Sequence, residues 1–216
     1  MADERNLLQQ WVASQSTAFK TKYLPLGYEE GDVEAILSVI GFLRNLVKHE
    51  RTLIHNLLLT NIKREHGREH VGAVPKLSDL YLVIEWGLRT RDSMGLMEAT
   101  QRLWTTNLKI RVALLRMLTA HHYFHRPPGD TSSQWDLIDD HLEIIRTWGL
   151  LQKQVFAVLL ALRDRHLFNG RAMIKDLDTQ NIRLPTEEEV EDLHGSMARQ
   201  GKGAVNQLLH AETAGS

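Results

Sequence analysis

Three cations, Arg102, Lys109 and Arg116, stand seven residues apart. On a helix that spacing drifts by only ~20° per step, so the three charges form one stripe at intervals of roughly 10.5 Å. A stripe of this kind can follow a phosphate backbone without reading bases. Arg89 and Arg91 precede the row, and Lys63 and Arg64 are the natural extensions of the same surface. These seven residues are the candidate nucleic-acid-binding set, with RNA rather than DNA as the expected ligand. The ordinary alternative is a solvated polar face, because exposed charges add little to stability. A third use is pairing with the acidic row Asp136, Asp139, Asp140 and Glu143, within one chain or between chains.

Charge distribution favours the first reading. The chain has 216 residues and a net charge of −1. Residues 1–40 are net −3, residues 41–126 hold 14 Lys and Arg against 7 Asp and Glu for net +7, and residues 127–216 are net −5. The basic middle is the main functional signal.

Other chemistry is weaker. His121, His122 and His125 are close, and His66 and His70 have i, i+4 spacing, but no HExxH occurs and a zinc site needs three or four ligands. No metal and no cofactor is expected. The Gly195 to Gly203 stretch holds Gly201-Lys202, but five residues separate Gly195 from Gly201, and no Ser or Thr follows the lysine. Glu50 and Arg51 fall on an apolar helical arc and read as an interhelical ion pair; His141 reads as a satisfied core histidine. With no Gly-x-Ser-x-Gly, no isolated carboxylate pair and no cysteine, a non-enzymatic role is expected.

Two long helical patterns must position these residues. From Asp32 to Glu65 apolar residues recur with helical period over an arc of roughly 220°, which calls for neighbours on at least two sides. Asp32 is the N-cap. The second pattern, Ser133 to His166, opens with a Ser133/Asp136 capping box and ends in Val155 to Leu162, apolar all round. A run like that must be enclosed by its own chain or by a second one, and self-association or a partner subunit is expected. Shorter helices are expected over residues 3–20, from Ser78-Asp79, from Ser93 to Tyr123, and after a Thr186/Glu189 capping box. The stretch Tyr23-Leu-Pro-Leu-Gly-Tyr28 reads as a packed loop. Leu80 to Leu88 resembles Leu142 to Leu150, with a Trp-Gly pair in each. No segment alternates as a strand does.

The expected fold is therefore an all-α antiparallel helical bundle, with two helices longer than 30 residues and several shorter ones. It forms a single helical domain over residues 1–216, with a weak boundary at 124–132 and a flexible 200–216. Ile40, Leu43, Val47, Ile54, Leu58, Leu115, Ile145, Phe156 and Leu159 are the expected core. No basic leader or spanning segment is read from the chain, so no membrane partner and an intracellular location are expected. The function implied is a helical subunit of a larger assembly that holds an RNA backbone through the basic middle. The alternative is a protein–protein scaffold or homo-oligomeric structural protein, with other subunits or itself as partners.

Overall fold

The computed structural model describes residues 2–63, 72–88 and 104–200, with side chains from Asn6 to Ser196. Every regular element among them is helical: α1 (Ala2–Ala13), α2 (Thr17–Tyr23), α3 (Val33–Leu58), α4 (Leu77–Leu88), α5 (Thr106–His125), α6 (Gln134–Thr147), α7 (Leu150–Leu167) and α8 (Glu187–Gln200). Two short 3-10 turns lie between α7 and α8. The chain falls into two compact units, Met1–Ile54 and His55–Ser216.

Capping chemistry sets most of the helix starts. Asp32 Oδ1 accepts from the backbone N–H of Glu34 at 2.7 Å, satisfying a donor that has no partner in the first turn. Both expected capping boxes form. Ser133 and Asp136 exchange hydrogen bonds at the start of α6, and Thr186 and Glu189 do so at the start of α8.

Helix ends depart from expectation in three places, and no described helix exceeds the 26 residues of α3. α3 stops at Leu58 because Asn61 takes a left-handed conformation (φ 58°), which asparagine tolerates, and donates from Nδ2 to Ala73 O at 2.8 Å. The 133–166 pattern is two helices. Trp148 is extended (ψ 150°), Gly149 is an N-cap, and the Trp148 ring meets Phe156 edge-on at 5.3 Å, so the indole packs under α7 instead of continuing α6. The first expected helix also divides, because Ser16 caps a new one by accepting from Phe19 N–H. The Trp-Gly likeness does not carry over into three dimensions. Gly87 lies inside α4 so close to Leu57 that a Cβ there would come within 2.7 Å of Cδ1, whereas Gly149 has open space.

In the unit His55–Ser216, α5 is the central helix, with α4, α6 and α7 against it and α8 against α7. Apolar side chains occur all round α5, and Val112, Ala113, Leu114, Met117, Leu118 and Ala120 are buried. The run Val155 to Leu162 is enclosed by its own chain, with only Leu159 and Leu162 reaching the surface. It therefore needs no second copy to cover it, and gives no support of its own to self-association. Leu58 and Phe156 are buried as expected; Ile40, Leu43, Val47, Ile54, Leu115, Ile145 and Leu159 are half-buried.

The unit Met1–Ile54 is built differently. On α3 only Ala35 and Val39 are buried within this unit, and Val12 is buried on α1. A cavity of about 280 Å³ is lined by Gln9, Gln10 and Ala13 from α1, Tyr28, and Ile36, Val39 and Ile40 from α3. The 23–28 connection is packed only in part, with Leu24 and Tyr28 half-buried. Leu26 is 98% exposed, and the turn is set by Gly27 at φ +88°, where a Cβ would lie 2.8 Å from that of Asp32.

Leu58→Ala and Phe156→Ala should each cost roughly 2–5 kcal/mol, the range for truncating a buried large apolar side chain. Leu26→Ser should change stability by less than about 0.5 kcal/mol, as surface substitutions do. Chemical denaturation of the three variants checks both statements.

Candidate functional site

The basic row does not reach one surface. Arg116 is fully buried (0% exposed) at the middle of α5. Its Nε donates to Asp164 Oδ2 at 2.9 Å, and Nη2 donates to the other carboxylate oxygen, so the pair is bidentate. Nη1 donates to Pro75 O at 2.7 Å, and the guanidinium carbon lies 4.5 Å from the centroid of the buried Phe168 ring. One arginine thus ties α5 to α7, to the connection before α4, and to the residue that ends α7. Arg116 is corrected from a phosphate ligand on an exposed face to a core residue. The physical reason is that α5 is enclosed at that level, and a buried cation is stable only when paired and hydrogen-bonded. Burial pushes the Asp164 carboxyl above its ordinary range, and Arg116 opposes the rise.

Lys109 is half-buried, its Nζ 5.8 Å from the Trp104 ring centroid, and partial burial lowers its pKa. Trp104 in turn stacks on Tyr81 at 3.8 Å. Lys63 is exposed, and its Nζ donates to Asn56 Oδ1 at 3.3 Å. Arg102, Arg89, Arg91 and Arg64 lie outside the described residues. The acidic residues Asp136, Asp139, Asp140 and Glu143 are exposed, as expected.

The described histidines around α5 and α6 each have a hydrogen-bond partner in the chain. His121 and His125 stack at 4.5 Å. His121 Nδ1 donates to Ile182 O at 2.8 Å, His125 Nδ1 to His121 O, and His122 Nε2 to Ser132 O. His55 Nδ1 donates to Gln134 Oε1, and His141 Nδ1 to Leu137 O. Among the described residues no group of three or more His, Asp or Glu has a geometry that would hold a metal ion. Burial is the main cause that lowers the pKa of His55 and of His121, with neighbouring histidines adding to it.

A second ionic knot fixes α8. Glu189 accepts from Arg163 Nη2 at 2.7 Å and from Arg183 Nη1 and Nη2 at 3.0 Å, besides capping its own helix. These bonds hold its carboxyl far below the usual range, with the Arg183 hydrogen bonds the largest cause.

Large apolar side chains are exposed as well. Leu7, Trp11, Tyr23, Leu26, Val33, Leu37, Phe42 and Leu46 are all exposed, and all belong to residues 1–54. Among the described residues of the 55–216 unit, six large apolar side chains are exposed. On α3 they flank the buried arc on both sides, with Val33 and Leu37 on one and Phe42 and Leu46 on the other. The sequence reading placed neighbours on both flanks; within this unit they stand open.

No protein-family model, curated protein or solved structure compared with the chain matches it. Among the described residues no helix is long and apolar enough to cross a membrane.

Asp164→Ala should cost roughly 3–5 kcal/mol, because it leaves Arg116 buried without its counter-ion. The double variant Arg116→Met/Asp164→Leu should cost distinctly less than Asp164→Ala alone, since no unpaired charge remains. A double-mutant cycle by denaturation measures the coupling.

The histidines give a pH dependence of definite sign. With the pKa values of His55 and His121 below their ordinary 6.5, the unfolded chain binds more protons near that pH. Their contribution is complete above pH 6.5 and is lost as pH falls through the depressed values. The melting temperature should therefore drop as pH falls from about 7.5 to about 5.5, and His55→Gln/His121→Gln should flatten that slope.

Proposed function

We propose that the protein is a non-enzymatic helical subunit that works through protein–protein contacts made by residues 1–54. The observation that supports this reading most is the concentration of exposed large apolar side chains there, Phe42 at 67% and Trp11 at 54% among them. Large apolar side chains left exposed in number on a folded chain suit an interaction site.

Holding a nucleic-acid backbone is the second reading, and the observation in its favour is the net +7 of residues 41–126. Lys63 and Arg111 are exposed cations of that stretch. Arg89, Arg91, Arg102 and Arg64 belong to the same reading. Arg116 no longer does, and replacing it would report on folding instead of binding.

Particle mass across a concentration series, with binding to labelled RNA and DNA across a salt series in parallel, separates the two. The protein-contact reading predicts mass that rises with concentration and falls for Trp11→Ser/Phe42→Ser, with no nucleic-acid affinity at moderate salt. The nucleic-acid reading predicts binding that weakens steeply with salt and is lost in Lys63→Glu/Lys109→Glu/Arg111→Glu, while the mass stays monomeric.

A further inference from the structure

Gly41 is the starting point. It stands in the middle of α3, where a glycine costs helix stability relative to alanine. Its own fold does not require it, for a Cβ added there would meet no other heavy atom within 4 Å. Its backbone needs no left-handed conformation either, since the positive-φ glycines are Gly27, Gly31, Gly129 and Gly170. An interior glycine of this kind leaves room for close approach from outside the chain.

The surroundings of Gly41 point to the identity of that neighbour. Leu37 (59% exposed) lies one turn before it, and the exposed Phe42 ring stands beside it. Glu34 lies seven residues before Gly41 and Lys48 seven after, so all three share one stripe of the helix, within ~40° of one another. Glu34 and Lys48 are both exposed, and neither is ion-paired among the described residues. An acidic residue and a basic one at equal distances on either side of a small residue form a self-complementary pattern. A two-fold axis through Gly41 places each Glu34 opposite the other copy's Lys48.

We infer that α3 is a homodimer interface in which two copies cross antiparallel at Gly41. This rests on the protein-contact reading above and deepens it by naming the partner and the register. At the crossing the two glycines bring the backbones together more closely than the usual 8–10 Å between helix axes. The two Phe42 rings meet on one side of the crossing, and Leu37 lies along the aliphatic stem of Arg44 of the second copy on the other. Two Glu34–Lys48 pairs close the ends. The orientation follows from charge. Glu29, Glu30, Asp32 and Glu34 crowd the start of α3, and a parallel pair would set two such clusters side by side with their helix dipoles aligned. The antiparallel pair avoids both.

The test uses the full chain and measures mass by sedimentation at rising concentration, with circular dichroism to confirm folding. Wild type should be a dimer at tens of micromolar. Gly41→Leu should be monomeric and as helical as wild type, because it fills the crossing from a position that touches nothing in its own chain. Lys48→Glu should weaken the dimer at least tenfold, and adding Glu34→Lys to it should restore the dimer by exchanging the two ends of each pair. A dimer that survives Gly41→Leu and Lys48→Glu unchanged would overturn the α3 register and leave assembly through another surface standing. A wild type that is monomeric at every concentration would overturn the second copy as partner and self-assembly with it. Restoration absent in the charge exchange, with Gly41→Leu monomeric, would overturn the antiparallel orientation.

Discussion

The buried pair of Arg116 and Asp164 is the constraint on which the larger unit depends. A guanidinium without water has to have its charge paired and its N–H groups met by acceptors, or it costs several kcal/mol. Here the carboxylate takes one edge, Pro75 O takes another N–H, and the Phe168 ring covers a face. That demand fixes three things together: the rotation of α5, the height of α7 against it, and the path of the chain into α4. Apolar packing alone would leave each of these free to slide by a turn. The Glu189 knot then does for α8, at the surface, what Arg116 does in the core.

This arrangement redirects the meaning of the basic middle. Its charge is not simply presented to solvent, for one cation of the regular row neutralises an acid in the core and another lies against Trp104. Among the described residues, eight exposed large apolar side chains lie in the first 54 residues and six in the longer unit. Phenylalanine, leucine and tryptophan left outside are what the proposed contact with another protein surface would use.

Some of this was legible in the sequence, for identifiable reasons. Asp32, Ser133 with Asp136, and Thr186 with Glu189 act through bonds to residues two or three positions away, so local sequence determines them. The inward and outward faces of α6 follow from periodicity alone. What periodicity could not give was the level at which a helix is enclosed. Arg102, Lys109 and Arg116 share a stripe on paper, but α5 is surrounded where Arg116 sits. A signal was present: Arg116 is the only charge between Val112 and Ala120, and Asp164 follows the Val155 to Leu162 run by two residues. Two opposite charges, each set in apolar sequence, are candidates for each other. The helix breaks at Asn61 and at Trp148-Gly149 were missed because each depends on a distant partner, Ala73 O for one and the Phe156 ring for the other.

The central claim is that residues 1–54 assemble while the Arg116 core stays closed. Amide hydrogen exchange on the wild-type chain at two protein concentrations, low and high micromolar, addresses it most directly. The account predicts that raising the concentration slows exchange in residues 33–48 of α3 and leaves the amides around Arg116 in α5 unchanged and strongly protected at both. Exchange in residues 33–48 that does not depend on concentration, or fast exchange around Arg116, would contradict it.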